Sequence, residues 1–400
     1  MIINKNIHVW GGLLLISTLF FPDIKLGDNI PAFQFLDFGL PITVFFIFLN
    51  RTKLRLHKYY LIILLFCAYI PITMAVNGRL KASNDYFEIY KLLKFLILIM
   101  FFSLLNFQQF SKTWFKPIFI VLVVINLLHF YNIFGFHDLL IQIYGGDHLE
   151  SFGLNSLKNP ATKRMTGLAG NPNTNAVIFG FYMIYFLPLK FNKQRFVWFA
   201  VACLMLFLCQ SRTAIVAILF LFIITFIFKL SENWKRYRII ILSVTGIYLI
   251  SWAITTDFFT FQSYSNNVVS NSLMGRIDTW KYLGKMIMDK PIFGYGVNKE
   301  FFYSNRLYSE NEYILMTWRY GFVGLILYLL IFLIPLRHYI INRKTVEIQK
   351  SGILIIGIIM ITALTNNPFQ ERTIMLLIAL VFGLIWPFTN NNMNSNGAKD

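Results

Sequence analysis

Residues 313–335 read YILMTWRYGFVGLILYLLIFLIP, and Arg319 is the only charge among them. An α-helix needs about 20 predominantly apolar residues to cross the hydrocarbon of a bilayer. This run is long enough and has almost nothing to offer water. Eleven further apolar runs flank it, near 8–22, 34–50, 59–76, 89–106, 117–134, 174–189, 196–210, 213–229, 238–256, 352–366 and 372–388. Over the whole chain 57% of residues are hydrophobic and 14% charged. Soluble domains run about 45–50% apolar and about 25% charged. A soluble globular enzyme, a disordered chain and a fibrous protein are thereby excluded. The expected fold is an all-α integral membrane protein with about 12 transmembrane helices. Residues 1–388 form a single polytopic domain, and 389–400, Asn-rich at Asn390–Asn392, form a disordered cytoplasmic tail.

The net charge of +18 would point to nucleic acid in a soluble protein. In a membrane protein it reports topology instead, because cytoplasmic loops collect Lys and Arg. With the N-terminus in the cytoplasm, the inside segments hold 19 basic residues against Glu232, Glu347 and Asp400. The outside segments hold 14 basic and 15 acidic residues, and Lys91, Lys94 and Arg319 stay within or at the edge of spans. A wrong span count would scramble this alternation. The expectation is a multi-pass protein of the cytoplasmic membrane with both termini inside, and no nucleic-acid partner. Cys67, Cys203 and Cys209 lie within or at the end of apolar runs, with no metal-ligand spacing. No metal site and no cofactor is expected.

Two outside loops are long, 135–173 and 257–311, and long loops usually carry function. Both face away from cytosolic donors such as nucleotide sugars. Four outside segments carry arginines and carboxylates. In the first, Arg164 precedes Gly170-Asn171-Pro172-Asn173-Thr174, a turn that opens a helix capped by Asn173 or Thr174. A helix start beside an arginine suits an anion; alone, the segment is equally an ordinary helix-entry turn. The second, Gln210-Ser211-Arg212-Thr213, pins Arg212 at the outer surface, where it also serves as a plain topological anchor.

The third is Gly275-Arg276, then Trp280, then Pro291-Ile292-Phe293-Gly294-Tyr295-Gly296. Ile277, Trp280, Met286 and Met288, with Lys281 and Lys285 between them, predict an amphipathic helix over 276–288 on the membrane face, ended by Lys290-Pro291. Arg276 would open that helix against the macrodipole unless an anion sits nearby. The fourth, Ser309-Glu310-Asn311-Glu312-Tyr313, offers two carboxylates at the membrane boundary. One is a candidate general base; both also read as helix N-terminal charges. Gly321 and Gly324 provide small residues for close packing by another helix. Several arginines suit a diphosphate, which a guanidinium grips bidentately.

These four segments in this order resemble the O-antigen ligase and polymerase superfamily over about 160–335. The resemblance implies a GT-C-like membrane glycosyltransferase, metal-independent and inverting, acting on the extracytoplasmic face. Its donor would be an oligosaccharide on undecaprenyl diphosphate. Its surroundings would be the lipid bilayer, with a flippase and a chain-length regulator as candidate protein partners. Carried over, Arg212 and Arg276 hold the diphosphate, and Glu310 or Glu312 is the base. Arg164, Asn171, Asn173, Trp280 and Asn311 complete the expected substrate-binding set. Glu310 stands where the ligases carry a histidine, which favours a capsular or O-antigen polymerase over a ligase passing glycan to lipid A-core. A flippase for lipid-linked oligosaccharide is the reading from another class. It fits less well, because the charges lie almost wholly in loops and no internal repeat is visible.

Overall fold

The computed structural model of the chain describes residues 2–22, 24, 33–54, 57–144, 164–187, 193–211, 213–218, 269–305, 307, 309–341 and 347–396. Among the described residues the fold is helical, with one isolated bridge joining Ile24 and Phe33. The helices are α1 (Ile2–Phe20), α2 (Phe35–Leu49), α3 (Lys58–Val76), α4 (Phe87–Phe102), α5 (Phe107–Phe130), α6 (Phe136–Tyr144), α7 (Pro172–Phe186), α8 (Lys193–Leu208), α9 (Val269–Asp289), α10 (Lys299–Ser304), α11 (Glu312–Ile341), α12 (Glu347–Thr362) and α13 (Arg372–Asn396).

Ten of the apolar runs coincide with these helices. The run at 213–229 is described only as far as 218, and 238–256 lies outside the described residues. Helices α3, α5 and α11 are long and apolar enough to cross a membrane, and shorter apolar stretches occur in α1, α2, α12 and α13. Apolar side chains also face outward. Phe38, Phe45 and Phe48 on α2, and Leu61, Leu65 and Ile72 on α3, are each half exposed or more. Water disfavours such a surface, whereas lipid tails accept it. Among the described residues the molecule is all-helical, and its apolar helices and outward apolar side chains fit a membrane protein.

Helix α4 lies at the centre, packed on α2, α3 and α13, while α11 packs on α3, α9 and α12, and α7 packs on α8 and α12. Aromatic edges fill the middle: Phe95 meets Phe369 at 5.2 Å between centroids, and Phe332 meets Phe382 at 6.1 Å. Edge-to-face pairing sets a positive ring rim against a negative face.

Helix α11 is broken at Gly321, whose φ of +65° and ψ of −172° leave the helical region. The backbone of Pro291 and Ile292 runs directly over this break. The Phe322 N–H donates to the Pro291 carbonyl (2.8 Å), and the Tyr295 N–H donates to the Trp318 carbonyl (2.9 Å). Tyr69 from α3 clamps the junction, its hydroxyl donating to the Ile292 and Tyr320 carbonyls. A Cβ at Gly321 would lie 2.0 Å from the Ile292 oxygen, and one at Gly294 would lie 2.6 Å from the Trp318 oxygen. The close partner expected as another helix is therefore a loop backbone. Only glycine admits it, for space and for positive φ.

Three further expectations change. Helix α9 begins at Val269, so Arg276 lies two turns inside it and the macrodipole argument lapses. The helix is amphipathic, but its buried residues Leu283 and Ile287 pack on the protein, and Trp318 Nε1 donates to Met286 Sδ at 3.4 Å. Met288 instead is 73% exposed. The apolar face thus serves α11 before it serves lipid. Last, α13 remains helical to Asn396, where a disordered tail was expected from 389. Extending an anchored helix adds one hydrogen bond per residue without a new nucleus.

Gly321→Ala and Gly294→Ala should each lower the thermal unfolding midpoint in detergent, by the equivalent of about 2 kcal/mol or more. Gly275→Ala, whose added methyl group would meet nothing within 4 Å, should leave it unchanged or raise it. Equal midpoints for all three would refute the close approach.

Candidate active site

The polar segments meet at one end of the bundle. The Asn77 amide donates to the Gly294 carbonyl (3.0 Å) and accepts from Lys290 (2.7 Å). Asp85 accepts from the backbone of Asn298 and Lys299. Ser211 reaches Asn173, Thr213 reaches Thr365, and Ser309 faces Asn367. Apart from Thr213–Thr365, which joins the ends of two spans, each of these contacts joins two segments that the charge count assigns to one face.

Asn173 is the hub of one network. Its Oδ1 accepts from Arg164 Nη2 (3.0 Å) and from the Ser211 hydroxyl (2.9 Å). Its Nδ2 donates to Asn366 Oδ1 (3.0 Å), and its N–H donates to Asn171 Oδ1 (2.8 Å). Asn171, rather than Asn173 or Thr174, is the N-cap of α7, with Pro172 at the first helical position. Arg164 Nε donates to the Cys209 carbonyl (3.2 Å), tying the entry of α7 to the exit of α8. Arg212 lies outside the described residues, but its neighbours Ser211 and Thr213 both belong to this network.

The second network gathers the two acidic motifs. Arg276 and Glu310 form an ion pair, both partly exposed. Glu310 has a φ of +41°, a conformation that costs energy in a residue with a Cβ. Trp280 Nε1 donates to the Ser309 carbonyl, so Arg276 and Trp280, four residues apart on α9, reach adjacent residues 310 and 309. Asn311 caps α11, its Oδ1 accepting from the Ile314 N–H (3.0 Å), while its amide donates to the Leu364 carbonyl (2.9 Å). Glu312 is fully buried. Its carboxylate accepts from the Phe369 N–H (2.7 Å) and from Gln370 Nε2 (3.1 Å). The two carboxylates therefore differ in kind: one is open and paired with an arginine, the other is saturated by a loop.

That loop, 365–371, lies outside the four arginine and carboxylate motifs of the sequence. Asn366 joins the first network and Asn367 faces the second, so the loop fastens them together. The available signal was a polar run, Thr365-Asn366-Asn367-Pro368-Phe369-Gln370-Glu371-Arg372, between two apolar helices.

A cavity of about 460 Å³ opens beside it. Five cations and three carboxylates line it, among them Lys91, Lys299, Arg319 and Glu88. Glu88 is 6% exposed and serves three cations: Lys91, Lys299 at 3.1 Å and Arg319 at 3.7 Å. Lys91 also donates to Gln370 Oε1 (2.7 Å), linking this cluster to Glu312. Lys94 pairs with Asp37 at 2.7 Å. Lys91, Lys94 and Arg319, charges within or at the edge of spans in the sequence, are turned by the fold toward one cavity.

Glu312→Ala should destabilise the protein by about 1–3 kcal/mol, because the buried Phe369 N–H then loses its acceptor. Glu312→Gln retains an oxygen there and should cost less. A melt in which the two variants behave alike would remove the strut role from Glu312.

The O-antigen ligase family model matches residues 176–329. No curated protein matches the chain. Arg212, Arg276, Trp280, Glu310, Asn311 and Glu312 fall within the matched stretch, and Arg164, Asn171 and Asn173 lie just before it. Members of this family are glycosyltransferase-like enzymes of polysaccharide ligation and polymerisation. Over residues 176–329 the chain is thus similar to the O-antigen ligase family, and the match supports the resemblance to the O-antigen ligase and polymerase superfamily.

Proposed function

We propose that the chain is a polysaccharide polymerase of the cytoplasmic membrane. It joins undecaprenyl-diphosphate-linked oligosaccharide repeat units on the extracytoplasmic face. The observation that carries this reading is the Arg276–Glu310 ion pair, at the end of the bundle where the arginine and carboxylate motifs meet. Arg276 and Arg212 take the donor's diphosphate, assisted by Arg164. The arriving diphosphate displaces Glu310 from Arg276, which leaves the carboxylate open to the acceptor hydroxyl. The hydroxyl oxygen attacks the anomeric carbon and its proton passes to Glu310. The bond from that carbon to the phosphate oxygen breaks, undecaprenyl diphosphate leaves with the electron pair, and the centre inverts. The arginines stabilise the charge growing on the leaving group, as preorganised donors do. Trp280, Asn171, Asn173 and Asn311 hold the surrounding backbone in position. Glu312 has both oxygens engaged, which supports Glu310 as the base.

The name of the matched family favours a second reading, in which the same site passes finished glycan to lipid A-core or another acceptor. A deletion strain separates the two. Single repeat units left on their anchor mean a polymerase. Polymer accumulating on the lipid carrier means a ligase, and repeat units trapped on the cytoplasmic face mean a flippase.

Arg276→Ala and Arg212→Ala should lower the rate of chain growth by about 10²–10³-fold at unchanged protein level. Glu310→Gln should lower it by about 10²–10⁴-fold. Electrophoresis of surface polysaccharide from complemented deletion strains reads the outcome. Long-chain polymer retained in both arginine variants would overturn the diphosphate clamp.

A further inference from the structure

The cationic cavity does not contain the Arg276–Glu310 pair, so its charge is not explained by the diphosphate site. Its cations are only partly balanced. Lys94 is neutralised by Asp37. Around Glu88, one carboxylate stands against Lys91, Lys299 and Arg319. Arg319 is 7% exposed, and among the described residues its Nε and Nη1 hydrogens have no hydrogen-bond acceptor. A buried guanidinium with unsatisfied donors is costly unless something anionic completes it.

The rest of the lining suits sugar. Phe33, Phe87, Tyr90 and Phe302 offer ring faces, while Ser309, Asn367 and Gln370 offer hydroxyl and amide partners. A second cavity of about 380 Å³ shares Phe33, Asp37, Phe87 and Tyr90 with it and adds Phe38 and Tyr86. A volume of about 300–1,000 Å³ is usual for a small-ligand site. Three carboxylates in the first lining disfavour a multiply charged diphosphate, whereas a single carboxylate meets a modest positive excess. Ser309 belongs to the lining, and the next residue is Glu310. A sugar in this cavity therefore lies beside the reacting centre.

We propose that this cavity is the subsite for an acidic sugar of the repeat unit, whose carboxylate is taken by Arg319 and Lys299. The inference rests on the glycosyltransferase reading and names its substrate class. The first test is sugar analysis of the surface polysaccharide of the wild-type strain. An anionic residue in every repeat is expected, and a wholly uncharged repeat overturns the proposal.

The second test is binding to the full chain in detergent, read by intrinsic tryptophan fluorescence. One probe is the strain's own repeat unit freed from its carrier by mild acid. The other is the same oligosaccharide with its carboxyl groups reduced to alcohols. The acidic form should bind at least about tenfold more tightly, the scale of a charge-assisted hydrogen bond. Arg319→Gln and Lys299→Gln should abolish that difference, while Arg276→Gln should keep it. Lys299 is partly exposed, so it decides the matter if Arg319→Gln does not fold. Equal affinities, or a difference that survives in Lys299→Gln, overturn the subsite. Displacement of the acidic form by inorganic pyrophosphate would assign the cavity to the carrier's diphosphate and also overturn it. None of these results touches the polymerase reading, which stands or falls on chain growth in the Arg276 and Glu310 variants.

Discussion

Much of this end of the molecule hangs on the contact between two backbones at Gly294 and Gly321. Neither position has room for a methyl group, because each lies against peptide atoms of the other segment. The break it imposes on α11 separates a stretch of about two turns bearing Glu312 and Arg319 from the apolar length beyond. The same contact ends the excursion of α9 and fixes where that helix returns to the bundle. Arg276 and Trp280 then meet the 309–310 turn from one face. A loop that donates and accepts main-chain hydrogen bonds here also satisfies groups that a helix break would leave orphaned.

The loop between α12 and α13 performs the complementary task. It holds the α7 entry through Asn366, the α11 entry through Glu312, and α4 through Gln370 and Lys91. Buried polar groups persist at such a depth only when each finds a partner. Glu312 shows the consequence: a carboxylate at the edge of a span is spent on a backbone N–H and an amide. Glu310, two residues earlier and in a left-handed conformation, points its charge at Arg276 instead. Neighbouring acids in the sequence thus acquire different surroundings through local geometry.

Reading the chain as a string already separates lipid-facing helices from polar connections, because length and apolarity are properties of a single segment. The charge alternation extends this to which connections share a face, and the contacts at one end of the bundle join segments drawn from that one set. The motifs around Arg164, Arg276 and Glu310 are legible for a similar reason, since arginines, glycines and carboxylates concentrate in otherwise apolar surroundings. Legibility stops at partners. The sequence offered Asn173 or Thr174 as the cap of α7, while Asn171 occupies that position. It offered a membrane surface for the apolar face of α9, while Leu283 and Ile287 pack on protein.

What the sequence alone determined is the class of molecule, the helical runs and the set of charged motifs, all of which follow from composition and spacing along one dimension. Tertiary structure decided which carboxylate is saturated and which is open. It also turned Lys91, Lys299 and Arg319 onto one carboxylate from three separate segments. The physical reason is that the energy of a charge depends on the groups within a few ångströms of it, and those groups come from residues hundreds of positions apart.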